Sequence, residues 1–332
     1  MKNSIKILVS FLVSLLIISY FVLKSKDDFN TNSGDSYLIP ELKNQINDVD
    51  HITISKNEKT VTLTKIKGVW RIIEVNNYLA DANLIATLLL NLREFKLKST
   101  KTAKVENYSQ LSLDQSGENA GTQIRLKNNS ELFADIIIGK KAQRSQGYFV
   151  RKINNAQTWL SEGTINLILN PSDWIVSTII DRDISQIKSV SFRSNEQEFL
   201  IDKITPQDPS FVLVDLPDDM QIKSSVDLNE LANGLQKLSI ETANPRKEFM
   251  VNPILSITYQ LFSGMKYHLN ITQMDQEYLL NIDIENPDSA SSSDKQLINW
   301  TYTIANYKFD ALNKKLTDII EMKKIDQSES VN

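Results

Sequence analysis

The feature that most constrains this chain is an internal repeat. His51 to Leu63 lies over Ser189 to Ile201 at a constant offset of 138, so that Ile52, Ile54, Val61 and Leu63 fall on Val190, Phe192, Phe199 and Ile201. Asn57-Glu58 falls on Asn195-Glu196 at the centre of each stretch. Apolar residues alternate on both sides of an Asn-containing turn, the pattern of a β-hairpin with one buried face. A repeat limits the folds open to a chain, because both copies have to bury the same face.

The correspondence continues. A strand centred on Trp70 and another on Phe211 follow the hairpins. Next, Ile85, Leu88, Leu92, Phe95 and Leu97 fall on Leu228, Leu231, Leu235, Leu238 and Ile240 at an offset of 143. Spacings of three and four predict an amphipathic helix in each half, with Asp81 and Asp227 placed to cap its start. Ile124, Leu126, Ile136 and Ile138 then match Ile257, Tyr259, Leu269 and Ile271 at an offset of 133, a second hairpin. Tyr148 and Val150 correspond to Tyr302 and Ile304 in a last strand, and apolar stretches at Ser161 to Leu169 and Asp310 to Met322 predict a closing helix for each half. Hairpins dominate and no βαβ alternation runs through the chain. The expected fold class is therefore α+β: an N-terminal transmembrane helix followed by two repeated, mainly antiparallel sheet-plus-helix domains. The expected boundaries are an anchor at 1–26, a linker at 27–47, repeats at 48–180 and 181–326, and a polar tail at 327–332.

The anchor is read from Ile5 to Leu23, an apolar run broken only by Lys6 and three serines. Its apolar positions are Ile5, Ile7, Leu8, Val9, Phe11, Leu12, Val13, Leu15, Leu16, Ile17, Ile18, Tyr20, Phe21, Val22 and Leu23. Its 19 residues as a helix would span roughly 28 Å, enough to cross a bilayer. A cleaved signal peptide has a shorter apolar core and small residues at the cleavage point, and Ser19 to Lys24 offers no such pattern. Lys2 and Lys6 precede the run and Lys24 and Lys26 follow it, so basic residues barely discriminate orientation. The short head and long remainder favour an extracytoplasmic bulk.

Composition removes several chemistries. There is no cysteine, so disulfides, thiolate nucleophiles and Cys-based zinc sites do not arise. A net charge of −4 gives no electrostatic footprint for nucleic acid. Only two histidines exist, and both His51 and His268 alternate with apolar neighbours, which places them on wetter strand faces. Asp48, Asp50 and His51 lack the spacing of a cation loop. No P-loop, G-x-G-x-x-G or G-x-S-x-G occurs. Accordingly no catalytic, cofactor or metal residue is assigned. Three features keep two readings each: Asp181, Arg182 and Asp183 as a charged turn or an interdomain ion pair; Lys96, Lys98, Lys101 and Lys104 as a solvated face or an anion-binding strip; and Trp70, Trp159, Trp174 and Trp300 as core or a sugar-stacking platform. Gly139, after Ile136 to Ile138, reads as a turn with positive φ.

VDHITISKNEKTVTLTKIKGVWRI, then ADANLIATLLLNLREFK, IIIGKK, GYFVRK and a closing apolar stretch together resemble the DUF4340 family of bacterial envelope proteins. The resemblance covers most of Val49 to Ile180 and extends over the second half, which departs in having Thr272 where Gly139 stands. It supplies no catalytic residue. It implies a bacterial inner-membrane, periplasmic location and an ABC-type transporter partner. The expected function is a non-enzymatic, membrane-anchored accessory or scaffold protein, against a binding module for an envelope polymer or lipid and, third, a hydrolase.

Overall fold

Period-two alternation of apolar residues decides most of what forms. The computed structural model describes residues 36–129, 131–143, 147–286 and 290–323. The first stretch comprises β1 (Ser36–Tyr37), helix α1 (Leu42–Gln45), β2 (His51–Lys56), β3 (Lys59–Ile66), β4 (Val69–Ile72) and β5 (Tyr78–Leu79). Helix α2 (Ala82–Arg93) leads to β6 (Lys96–Thr100), β7 (Thr122–Lys127), β8 (Leu132–Lys141), β9 (Tyr148–Lys152) and β10 (Thr158–Glu162). Then come β11 (Thr178–Ile180), β12 (Ile187–Ser194), β13 (Glu198–Asp202), β14 (Val212–Leu213), β15 (Met220–Ile222), α3 (Leu228–Ala232) and β16 (Leu238–Ser239). The chain continues through β17 (Thr242–Pro245), β18 (Leu255–Leu261), β19 (Lys266–Met274), β20 (Glu277–Glu285), α4 (Asp294–Leu297) and β21 (Trp300–Ile304). It closes with α5 (Asn306–Leu312), α6 (Leu316–Ile319) and β22 (Ile320–Met322).

The expected α+β class is corrected by this inventory: strand accounts for 42% and helix for 21%, a mostly β protein. No helix among the described residues is long and apolar enough to cross a membrane. The apolar run from Ile5 to Leu23, with the anchor expected there, lies outside the described residues, as does the polar tail.

Contacts divide the described chain into two compact units, one of residues up to Lys59 with Ala86–Leu167, the other of Thr60–Ile85 with residues from Ile168 onward. In the first unit seven strands hydrogen-bond side by side in the order β1-β6-β10-β9-β8-β7-β2. All these pairings are antiparallel. Ile52 stands opposite Leu126 and Ile54 opposite Ile124, which in turn faces Ile136. These five are at most 1% exposed. Burying such a side chain stabilises by about 1.5–3 kcal/mol, which is why a register slip here would be costly.

In the second unit β3, β4 and β5 pair in sequence, and eight strands form a sheet ordered β14-β13-β12-β18-β19-β20-β21-β17. Val190 pairs with Tyr259 and Phe192 with Ile257, which pairs with Leu269. Strand for strand, the run β6-β10-β9-β8-β7-β2 of the first unit has the order β17-β21-β20-β19-β18-β12 of the second. The residues matched by the offsets 138 and 133 occupy the same registers in the two runs. By position, however, β9 stands where β20 does and β10 where β21 does, so the expected match of Tyr148 and Val150 to Tyr302 and Ile304 is one strand out.

The helices are shorter than expected, for reasons that can be named. Asp81 and Asp227 cap α2 and α3, accepting from the amides of Asn83 and Asn229 at 2.8 Å each. Yet α3 stops at Ala232 because Asn233 and Gly234, both poor helix formers, come next and tighten into a 3-10 turn. Ser161 to Leu169 is not a helix: Ser161 and Glu162 pair with β6, and the chain beyond them has no regular structure. Its carbonyls at Ile165 and Ile168 accept instead from the Tyr148 hydroxyl and the Trp174 indole. Asp310 to Met322 is broken into α5, α6 and β22, because Gln197 holds both the Lys314 carbonyl and the Leu316 amide through its side chain.

Candidate functional site

On β19, Tyr267, Leu269 and Ile271 are fully buried, so Lys266, His268, Asn270 and Thr272 point to the opposite face of the second sheet. Neighbouring strands add Ser256 and Thr258 from β18 and Asn281, Asp283 and Glu285 from β20. These side chains bond across the strands. Ser256 Oγ donates to Asn270 Oδ1 at 2.8 Å. Thr258 Oγ1 lies 3.0 Å from His268 Nδ1, whose Nε2 lies 3.3 Å from Glu285.

Hydroxyl, imidazole and carboxylate in series resemble a nucleophile relay, but two observations weigh against that chemistry. Glu285 also pairs with Lys266 at 2.9 Å, and that hydrogen bond holds its carboxyl below the usual range. The amides around Thr258 and His268 are committed to the strand ladder, so no preorganised donors point at a developing oxyanion. The series is a cross-strand polar ladder of the kind that fixes register.

Toward β21 and β17 the segment from Arg246 to Pro253 folds back over this face. Its base is closed by a ring of hydrogen bonds: the Lys247 amide donates to Thr301 Oγ1 (2.9 Å), Thr301 to Asn281 Oδ1 (2.6 Å), and Asn281 Nδ2 to the Lys247 carbonyl (2.8 Å). Arg246 reinforces it, donating to the carbonyls of Ile282 and Ile298 and pairing with Glu248 and Asp283 at 2.8 and 2.9 Å. Burial works against the Arg246 charge, but those two carboxylates outweigh it and raise its pKa. Beyond this rigid base the tip carries Phe249, Met250 and Val251. Met250 is fully exposed and Val251 is 59% exposed, two adjacent apolar side chains in water. Below the tip lies a recess of about 590 Å³ lined by Lys247, Glu248, Phe249, Met274, Asp275, Glu277, Leu279, Asn244 and Thr301. The turn that forms its rim has Asp275 and Gln276 both left-handed, at φ 47° and 73°, as a tight two-residue hairpin requires.

At the rim of the opposite face Arg182 reaches Asp294. Its Nη2 donates to both carboxylate oxygens at 2.9 and 2.7 Å and to the Tyr267 hydroxyl at 2.8 Å, while that hydroxyl donates to Asp294 Oδ1. The Ser291 amide and hydroxyl complete the shell of Asp294 at 2.9 and 2.7 Å. Burial opposes ionisation of Asp294, but the hydrogen bonds from Ser291 and Tyr267 and the Arg182 charge prevail and hold its pKa below the usual value. Burial pushes the Tyr267 hydroxyl up, so it remains protonated and able to donate.

Residues 70–271, from β4 into β19, match the family described as a domain of unknown function, DUF4340. The chain belongs to the DUF4340 family. No curated protein and no solved structure matches it.

In this DUF4340 protein the residues singled out from sequence take definite places. Of the Asp181-Arg182-Asp183 run, Arg182 joins the pair just described within the second unit, Asp181 accepts from the Lys237 amide and Asp183 from Ser185. Lys98 pairs with Glu162 at 2.7 Å and Lys96 lies over the Tyr37 ring, while Lys101 and Lys104 are exposed. Trp174 is core, Trp300 packs edge-on against Tyr78 at 4.9 Å, Trp70 carries the Lys65 ammonium over its ring, and Trp159 is half-buried on β10. Among the described residues no three His, Asp or Glu side chains converge as a metal cage, Asp48, Asp50 and His51 included. Gly139 is no turn: it lies inside β8 with ordinary φ, and a Cβ there would come within 2.3 Å of the Leu111 carbonyl. Two features escaped sequence reasoning. Ser291-x-x-Asp294 is a capping-box spacing that marks α4, and Phe249-Met250-Val251 is an apolar run that belongs to no strand.

Proposed function

We propose that this DUF4340 protein is a non-enzymatic accessory or scaffold protein of the bacterial envelope, held at the inner membrane through the apolar residues 5–23, its folded bulk extracytoplasmic, and working with an ABC-type transport complex. The observation that carries the reading is the 246–253 segment: from a base stapled by Arg246, Asn281 and Thr301 it turns Phe249 into a recess and leaves Met250 and Val251 exposed to solvent. Exposed apolar residues carried on an ordered base are suited to macromolecular recognition, since their burial on association is favourable. The membrane location rests on the apolar run, and the transport partner on the family resemblance.

Two measurements test this. Native membranes washed in high salt are expected to retain the full-length protein; release into the wash counts against the location. Quantitative co-purification from mild detergent is expected to recover ABC-type components at a fixed ratio, and their absence counts against the partner. The second reading, a binding module for an envelope polymer or lipid, is favoured by a recess of about 590 Å³, in the size range of small-ligand sites. Retention of the protein on isolated envelope polymer distinguishes it.

A further inference from the structure

The electrostatics of the recess narrow its occupant. Arg246, which precedes the lining residue Lys247, is already matched by Glu248 and Asp283, so it offers little charge to a newcomer. Asp275 and Glu277 stand on the exposed hairpin rim, and neither has an ion-pair partner among the described residues. Lys247 is the one cation of the lining. The lining therefore carries excess negative charge, while its apolar surface comes from Phe249, from Leu279 and from Met274, 44% exposed at the end of β19; Met250 and Val251 follow Phe249 directly in sequence. Apolar contact flanked by unpaired carboxylates complements a ligand that presents apolar side chains flanked by cations, and repels one flanked by anions.

We infer that this recess docks a polypeptide segment of a partner protein in which Lys or Arg residues flank Leu, Met or Phe. An anionic bilayer is the less suited surface, because Asp275, Glu277 and the 82%-exposed Glu248 would face its headgroups. The hydrogen-bond ring at Lys247, Asn281 and Thr301 fixes the base of the segment from which Phe249 enters the recess, which lowers the ordering cost of binding there. This inference deepens the accessory reading and rests on it.

The test uses the full-length protein in nanodiscs of zwitterionic lipid, with empty nanodiscs as the blank. Its probe is a fluorescein-labelled ten-residue peptide alternating Lys with Leu and Phe, compared by anisotropy with the same peptide carrying Glu in place of Lys. The Lys peptide is expected to bind about tenfold more tightly, with affinity falling as salt rises. The double substitution Asp275→Asn with Glu277→Lys is expected to abolish that preference; Asn is chosen because it tolerates the left-handed φ of 47° at position 275. Met250→Ser is expected to weaken both peptides equally. All three positions are exposed, so far-UV circular dichroism and the melting temperature of each variant are expected to match the wild type. Equal binding of the two peptides, no binding, or a preference that survives charge reversal overturns the inference, as does preferential binding to anionic vesicles. Failure here would leave co-purification with a transport complex untouched, and loss of co-purification would leave the peptide preference standing, so the two readings fail separately.

Discussion

Arg182 and Asp294, 112 residues apart in sequence, are joined through one guanidinium nitrogen that donates to both carboxylate oxygens, which also accept from Tyr267 and Ser291. Asp294 is 5% exposed and Tyr267 fully buried, so removing the carboxylate leaves a cation facing a buried hydroxyl. Asp294→Asn is expected to lower stability by about 2–4 kcal/mol, the upper range being reserved for pairs deeper than this one, whose Arg182 side chain is 26% exposed. Urea denaturation followed by tryptophan fluorescence measures it; a loss below about 0.5 kcal/mol would show that the pair is solvent-screened.

The same pair sets a pH dependence with a definite sign. The Asp294 pKa is depressed in the folded protein, by hydrogen bonds and the Arg182 charge that outweigh its burial, relative to about 3.9 for an unperturbed Asp. The unfolded chain therefore takes up the proton first, and protonation drains stability from the native state. The contribution of Asp294 is complete above about pH 5 and is lost as pH falls through about 4 toward the folded value. Urea midpoints of wild type and Asp294→Asn between pH 3 and 6 are expected to converge at the acid end; a constant gap would contradict the coupling.

Leu92 and Leu235 are both fully buried, one in the last turn of α2 and the other closing the 3-10 turn after α3. Truncation of either to Ala is expected to cost about 2–5 kcal/mol, through lost burial and the cavity left behind. Equilibrium denaturation of the two single variants checks this, and a loss near zero for either would mean that its surroundings collapse freely.

Gly234 and Tyr259 are coupled. A Cβ on Gly234 would lie 2.1 Å from the Tyr259 hydroxyl oxygen, an atom that is buried with no hydrogen-bond partner. Gly234→Ala is expected to destabilise by about 1–3 kcal/mol, through overpacking. Tyr259→Phe, which deletes the unpaired hydroxyl, is expected to be neutral or stabilising by up to about 1 kcal/mol and to relieve part of the Gly234→Ala cost. Additivity in the double variant would disprove the contact.

Thr258 and His268 supply a separate check on chemistry. Replacement of Thr258 by Val and His268 by Asn is expected to leave the yield of co-purified partner unchanged, because both act only in a cross-strand ladder. Loss of the partner in a variant with an unchanged melting temperature would return the hydroxyl, imidazole and carboxylate series to attention.

What could be read from sequence follows the range of the interaction responsible. Ile52, Ile54, Val190 and Phe192 were legible as core because burial on a strand repeats every second residue, a local signal. At Ser161 to Leu169 and Asp310 to Met322 apolar spacing looks helical, but side chains outside each stretch, Tyr148 and Trp174 for the first and Gln197 for the second, take backbone bonds a helix would need. The recess was invisible for a related reason. Nothing local distinguishes Met250, left in water, from Leu255 five positions on, which is 1% exposed. The difference is made by long-range pairing: Leu255 lies between Ser194 and Ile271 in the sheet, while the chain before it is fixed through Lys247 by Asn281 and Thr301.

The second unit is discontinuous in sequence, since it takes Thr60–Ile85 from ahead of the first unit's main stretch. Tyr78 packs against Trp300 and Tyr302, the Asp81 amide donates to the Trp174 carbonyl, and Asn76 bonds Asn244. A fragment ending at residue 180 therefore carries an orphaned arm: Tyr78, 4% exposed in the whole protein, loses both aromatic neighbours and becomes an adhesive patch. During synthesis the same arm emerges long before Trp300 and Tyr302, so its aromatic face stays uncovered until more than 200 further residues have been made.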